Sequence, residues 1–138
     1  MEEDEEKYLY TKLSNNLWLT SWILPVSFFY ALYKKKYVLS LIPLIIFFTS
    51  LNYWKDGNNM NARRLDIAAV IIGFVIQFNY AAQVDTALKY YFTISISMIL
   101  WILSNIFFSR KTLVLSTTCH QLVHYSAALA SIFLYIGK

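Results

Sequence analysis

Residues 37–54 read YVLSLIPLIIFFTSLNYW, eighteen residues without an Asp, Glu, Lys or Arg. Crossing ~30 Å of hydrocarbon takes about 20 helical residues at a rise of 1.5 Å each. The central part, 41–48, is apolar on every side, whereas a membrane barrel strand would alternate apolar and polar residues. The stretch therefore predicts a transmembrane helix.

Four further stretches share this lack of charge, namely 13–33, 67–84, 90–109 and 112–137. Charged residues make up 14% of the 138-residue chain, against about 25% in typical soluble proteins, and they are confined to the short segments between these stretches. A soluble domain would need charged side chains along the outward face of each helix. The pattern excludes a soluble domain and a disordered chain.

The sequence therefore predicts an all-α fold, a polytopic membrane bundle of five transmembrane helices. The opening MEEDEE is typical of a solvated segment, so residues 1–12 are interpreted as an acidic N-terminal tail. No linker rich in Pro, Gly or Ser divides the rest, which indicates a single bundle over 13–138. The five helices are expected at about 13–33, 37–54, 66–84, 88–109 and 116–137.

Charge in the loops bears on orientation and partners. In a five-helix chain, seven Lys and Arg fall on the N-terminal side and five on the opposite side, which by a narrow margin favours a cytoplasmic N-terminus. Because these basic residues lie next to membrane, the net charge of +4 indicates contact with anionic lipid headgroups and not with nucleic acid. Membrane lipids are the expected partners, and a homo- or hetero-oligomer remains open. The two groups are Lys7, Lys12, Lys55, Arg63, Arg64, Arg110 and Lys111, and Lys34, Lys35, Lys36, Lys89 and Lys138.

The polar residues inside the predicted spans carry the functional information. His120 and His124 are the only histidines, and their spacing of four puts both on one face of the last helix. Small residues continue that face, so it is expected to point into the bundle. In an up-and-down chain of five helices, Ser50, Asp66 and the two histidines all lie at one depth of the membrane.

Two readings of this arrangement stay open. Two imidazoles and a carboxylate at one level could hold zinc with an open position for water, which is the composition of a hydrolytic centre. In that reading His120, His124 and Asp66 are the metal ligands, and Asp66 with Ser50 serves catalysis. Alternatively, neutral imidazoles hydrogen-bonded to hydroxyl or amide groups of neighbouring helices would also occupy such positions.

The same residues resemble the CREST superfamily of alkaline ceramidases and progestin and adipoQ receptors. That family has S-x-x-x-H at the end of one helix, L-D at the start of the next, and H-x-x-x-H at the start of the last; here these are Ser50, Leu65-Asp66 and His120-Gln121-x-x-His124. The resemblance implies zinc-dependent hydrolysis of a lipid or amide. The sequence departs from the family in having Trp54 where the first histidine would fall, and five helices where the family has seven.

A second resemblance covers the loop from Tyr53 to Asp66. It is similar to a loop in small multipass proteins of protists and large DNA viruses, and this likeness implies no activity.

The sequence therefore leaves two functions from different classes open. One is a non-catalytic membrane protein whose polar residues fix packing or assembly; the other is an intramembrane zinc hydrolase or a degenerate relative of one.

Overall fold

The computed structural model describes residues 2–138, which form an all-helical bundle without strands in that range. Short turns separate six α-helices, and one 3-10 turn joins the first two. The α-helices are α1 Glu2–Thr20, α2 Leu24–Tyr33, α3 Tyr37–Lys55, α4 Met60–Ala81, α5 Ala87–Ser109 and α6 Leu113–Ile136; the 3-10 turn is Ser21–Ile23.

The first rod of the bundle consists of α1, the 3-10 turn and α2. The 3-10 turn Ser21–Ile23 divides the predicted helix 13–33 into two, and Pro25 lies just after it, in the first turn of α2. Proline is accepted there because the first N–H groups of a helix have no partner within it. The rod also begins earlier than predicted, since the acidic segment is helical from Glu2 onward.

The tight turns after α2 and α5 have the same hydrogen-bonding pattern. Lys35 and Lys111 adopt φ angles of 56° and 58°, in the left-handed region. After α2, the N–H groups of Lys35 and Lys36 donate to the carbonyls of Leu32 and Ala31. These two bonds define a Schellman motif, which caps the free carbonyls of the helix and reverses the chain within three residues.

The start of α4 lies six residues before the predicted one. Asn59 caps the helix, because its side-chain oxygen accepts hydrogen bonds from the N–H groups of Asn61 and Ala62. Asp66 therefore lies almost two turns inside α4 and does not open it, which corrects the predicted boundary.

Contacts at the two ends of the bundle show that successive helices are antiparallel. The α1–α2 rod counts as one of them, and α3, α4, α5 and α6 follow in chain order. At one end, the Tyr10 hydroxyl donates to the carbonyl of Gly57 at 2.9 Å, and Lys111 Nζ lies 4.0 Å from Glu6 Oε1. At the other end, the N–H of Lys138 donates to Asp85 Oδ1 at 3.0 Å. The first half of α1 thus lies beside the α3–α4 and α5–α6 turns, and the C-terminus lies beside the α4–α5 turn.

Three of these helices, α3, α4 and α5, are long and apolar enough to cross a membrane. Large apolar side chains, including Ile72 on α4 and Ile99 on α5, are exposed on their outer surfaces. Such surfaces are unfavourable in water and suit a lipid environment. The structure thus supports an all-helical membrane protein with at least these candidate spans.

Helix packing is uneven around the bundle. α5 and α6 pack together along their length, and α4 packs closely on α3. At the α3–α4 crossing, a Cβ built on Gly73 would lie 2.6 Å from Ile42 Cγ2, so only glycine allows this approach without a shift. By contrast, α4 contacts α5 and α6 very little. This leaves a space between α4 and α5.

Candidate functional site

A cavity of about 560 Å³ occupies the space between the helices. It extends from the α3–α4 turn along most of α4, as far as Gln77, and all four residues singled out from the sequence line it. These residues are Ser50, Asp66, His120 and His124. Apolar side chains of α4 and α5 make up its open flank, among them Ile67, Val70, Ile71, Phe74, Ile94, Met98 and Trp101.

Asp66 is buried at the interface between α3 and α4. Its Oδ1 atom accepts hydrogen bonds from Thr49 Oγ1 at 2.7 Å and Ser50 Oγ at 2.8 Å. Two hydroxyl donors offset part of the cost of burying a carboxyl group. Ser50 and Asp66, which the sequence places at one depth, are therefore hydrogen-bonded to each other, and Thr49 is an additional partner.

The two histidines belong to a stack of aromatic rings with Trp54. The ring centroids of His120 and His124 are 5.2 Å apart, and those of Trp54 and His120 are also 5.2 Å apart, both pairs edge to face. This is a favourable arrangement for aromatic rings. The indole thus lies directly against the imidazole, on the position where the resembling family has its first histidine.

The donor groups do not assemble into the predicted three-ligand zinc site. Throughout residues 2–138, no three His, Cys, Asp or Glu side chains are grouped so that they could hold a metal ion. Oδ1 of Asp66 is already engaged by hydroxyl groups of α3, and the indole of Trp54 offers no metal-binding atom. The zinc prediction therefore receives no support from this geometry.

Three residues that line the cavity each hold a buried polar atom without a hydrogen-bond partner within the described chain. These atoms are Ser14 Oγ, Trp54 Nε1 and His124 Nδ1, on side chains that are 6%, 8% and 7% exposed. An unsatisfied buried polar atom typically costs about 1–3 kcal/mol. Ser14 and Trp54 lie in the half of the bundle that contains the α3–α4 turn, and His124 lies at the middle of α6. We call these three residues, with Arg63, the polar end of the cavity.

Arg63 lies one turn before Asp66 and lines the cavity while half-buried. Within the described part of the chain its guanidinium forms no ion pair, since the salt bridge found there joins Glu6 and Lys111. Arg64, in contrast, is exposed. The sequence placed both arginines at the membrane interface, and the structure distinguishes them: only Arg63 faces the cavity.

Toward the C-terminal ends of α4 and α6, polar groups that line the cavity are hydrogen-bonded to one another. Gln77 Nε2 donates to Ser131 Oγ and to the Tyr135 hydroxyl, each at 3.2 Å, and Ser131 Oγ donates back to Gln77 Oε1 at 3.3 Å. Ser27 Oγ donates to the carbonyl of Ala128 at 3.4 Å. These bonds join α4 and α2 to α6.

Sequence reasoning missed Thr49, Gln77 and the role of Trp54 as a ring partner. Gln77 carried a usable signal, because an amide within an apolar run of a membrane helix is expected to seek a partner on another helix. Thr49 and Trp54 carried no such signal, since threonine can bond its own helix and tryptophan is common near span ends.

Comparisons of this chain with protein-family models, with curated proteins and with solved structures give no match. The function must therefore be argued from the fold and the cavity.

Proposed function

We propose that this chain is a non-catalytic, multipass integral membrane protein that crosses the bilayer five times. The three apolar helices α3, α4 and α5 support the membrane location. The other two rods, α1–α2 and α6, pack against α3 or α5 in the same bundle and run antiparallel to their neighbours in the chain. In α6 five polar side chains are buried, which suits a helix shielded from lipid by its neighbours; they are Ser116, Thr117, His124, Ser131 and Tyr135.

The observation that carries the non-catalytic role is the pairing of buried polar groups between helices. Asp66 is bonded to Thr49 and Ser50, and Gln77 to Ser131 and Tyr135. In hydrocarbon such pairs hold helices in register, because an unpaired polar group would be costly. Three more pairs act between helices: Ser97 with Ser126, Ser104 with Ser116, and Gln121 with Thr20.

The proposed role is that of a packing or assembly subunit in contact with membrane lipids, alone or in a homo- or hetero-oligomer. The exposed apolar faces of α4 and α5 are available to lipid or to another membrane helix. The N-terminus is proposed to be cytoplasmic, on the count of Lys and Arg in the loops.

The alternative is an intramembrane zinc hydrolase acting on a lipid or amide. One observation favours it: Ser50, Asp66, His120 and His124 line the same cavity. If the ion were bound, the two imidazoles would hold it and it would activate water, while Asp66, oriented by Ser50, would accept a proton.

Metal analysis of the purified full-length protein separates the two functions. We expect no stoichiometric zinc in the wild-type protein and none in His120→Ala or His124→Ala. Trp54→His serves as the informative variant, because it places a third imidazole beside His120 and should create zinc binding that His124→Ala removes. Stoichiometric zinc in the wild-type protein, lost in either histidine variant, would refute the non-catalytic proposal and support the hydrolase.

A further inference from the structure

The two ends of the cavity between α4 and α5 differ in whether their polar groups have hydrogen-bond partners. At the polar end, Ser14, Trp54 and His124 each hold a buried polar atom without a partner, and the half-buried Arg63 lines the same space. At the deeper end, Gln77 and its partners satisfy one another. The unmet hydrogen-bonding capacity is therefore concentrated at one end of an otherwise apolar space.

The same cavity opens sideways toward the surroundings of the bundle. Four side chains line the cavity and are also substantially exposed: Val70 and Ile71 on α4, and Met98 and Trp101 on α5. Side chains that do both mark a lateral opening along the gap where α4 and α5 do not pack. In a membrane this opening faces lipid acyl chains, so a bilayer component could enter without passing through water.

The dimensions indicate what could enter. The lining residues of α4 extend from Met60 to Gln77, which is roughly 26 Å of helix at 1.5 Å per residue. The cavity holds about 560 Å³, which lies within the roughly 300–1,000 Å³ typical of pockets for single small molecules and suits one hydrocarbon chain.

We propose that this cavity binds one acyl chain of an anionic bilayer lipid, with the lipid's charged oxygens at the polar end. Trp54 Nε1–H and the guanidinium of Arg63 are donors suited to phosphate or carboxylate oxygens, and Arg63 can offer a bidentate pair. The chain extends past Ile67 and Phe74 toward the middle of the bundle.

The test uses the full-length protein in nanodiscs that contain phosphatidylglycerol with a photoactivatable diazirine on one acyl chain. We expect cross-links to cavity-lining residues of α4 and α5. Val70→Trp should fill the opening and reduce these cross-links roughly tenfold. The matched control is Val75→Trp, because Val75 lies on the same helix, is 49% exposed against 44% for Val70, and does not line the cavity.

A second pair of variants keeps the test valid if Val70→Trp fails to fold. Met98→Trp narrows the opening from α5, and Ile99→Trp, at an exposed residue outside the cavity, is its control. A phosphatidylcholine that carries the same diazirine serves as the second probe. Arg63→Gln should reduce labelling by the anionic phosphatidylglycerol probe roughly tenfold and change labelling by the phosphatidylcholine probe much less. Arg64→Gln, on the exposed neighbour, should have little effect.

Other outcomes would overturn the proposal. Residues of the outer face and of the cavity could be labelled equally, with no change in Val70→Trp or Met98→Trp. That result would show that the probe labels only the lipid surrounding the bundle and that the cavity binds none. Cross-links between two copies of the chain at this gap would assign it to self-association. Labelling by a diazirine fatty acid but by neither phospholipid would assign the cavity to a free carboxylate amphiphile. Since binding of a lipid requires neither zinc nor hydrolysis, these results are independent of the metal analysis.

Discussion

The indole of Trp54 lies edge to face against the imidazole of His120, with ring centroids 5.2 Å apart. His120 in turn stacks on His124 at the same separation. The three rings thus connect the C-terminal end of α3 to α6. Trp54 Nε1 and His124 Nδ1 remain buried without a hydrogen-bond partner in the described chain.

Removing the hydroxyl donors to Asp66 should destabilise the bundle. The double variant Thr49→Val with Ser50→Ala is expected to lower the free energy of unfolding by about 1–3 kcal/mol, because the buried carboxyl group loses both partners. Denaturation in detergent measures the change. Thr118→Val is the control, since the exposed Thr118 hydroxyl bonds only to Val114 of its own helix. Equal stability of the two variants would contradict the proposed α3–α4 connection.

Gln77→Leu should weaken the attachment of α4 to α6. The change removes the bonds to Ser131 and Tyr135, and interhelical hydrogen bonds in membranes contribute about 0.6–2 kcal/mol each. Asn79→Leu on the same helix should be nearly neutral, because Asn79 is exposed and donates only to the carbonyl of Val75. Thermal unfolding of both variants in the same detergent provides the comparison, and a larger loss for Asn79→Leu would disprove the role of Gln77.

The reciprocal contact between α5 and α6 should depend on Ser104 and Ser116. Each hydroxyl donates to the other residue's carbonyl, at 2.9 and 2.8 Å. We expect Ser104→Leu to cost more than Ser104→Ala, because the small side chain also allows the helices to approach closely. Ser95→Leu is the control, as Ser95 is exposed and bonds to Tyr91 of its own helix. Unfolding midpoints that do not separate Ser104→Leu from Ser95→Leu would argue against a close α5–α6 contact there.

The number of membrane crossings can be measured by cysteine accessibility, starting from Cys119→Ala, which removes the chain's one cysteine. Five spans place the N-terminus and the α2–α3 turn on opposite sides, whereas spans formed by α3, α4 and α5 alone place them on the same side. Glu3→Cys and Lys35→Cys should therefore react with an impermeant reagent from opposite sides.

The same assay applied to Lys111→Cys and Lys138→Cys tests whether α6 spans. These two positions flank the helix and should also label from opposite sides. Labelling of both from one side would leave α6 outside the set of spanning helices and reduce the proposed five crossings.

Most of the helix positions could be predicted from the sequence, while most of the side-chain partners could not. The predicted ranges 37–54 and 88–109 correspond closely to Tyr37–Lys55 and Ala87–Ser109. The start of α4 was misplaced because the charged residues before Asp66 were assigned to a loop, although Asn59 is a good cap. The division of the first rod at Ser21–Ile23 follows the proline at position 25, which the sequence shows but whose effect on geometry it does not specify.

The sequence by itself determined that the chain is a set of apolar helices, because helical hydrogen bonding is local and the length of each apolar run can be compared directly with the thickness of a bilayer. Only the tertiary structure decided that Asp66 bonds to Thr49 and Ser50, that Trp54 stacks on His120, and that α4 stands apart from α5. The physical reason is that these contacts depend on the rotation of each helix about its axis. Neighbouring residues differ by about 100° in direction, so packing over the whole bundle selects which side chains meet and where a cavity remains.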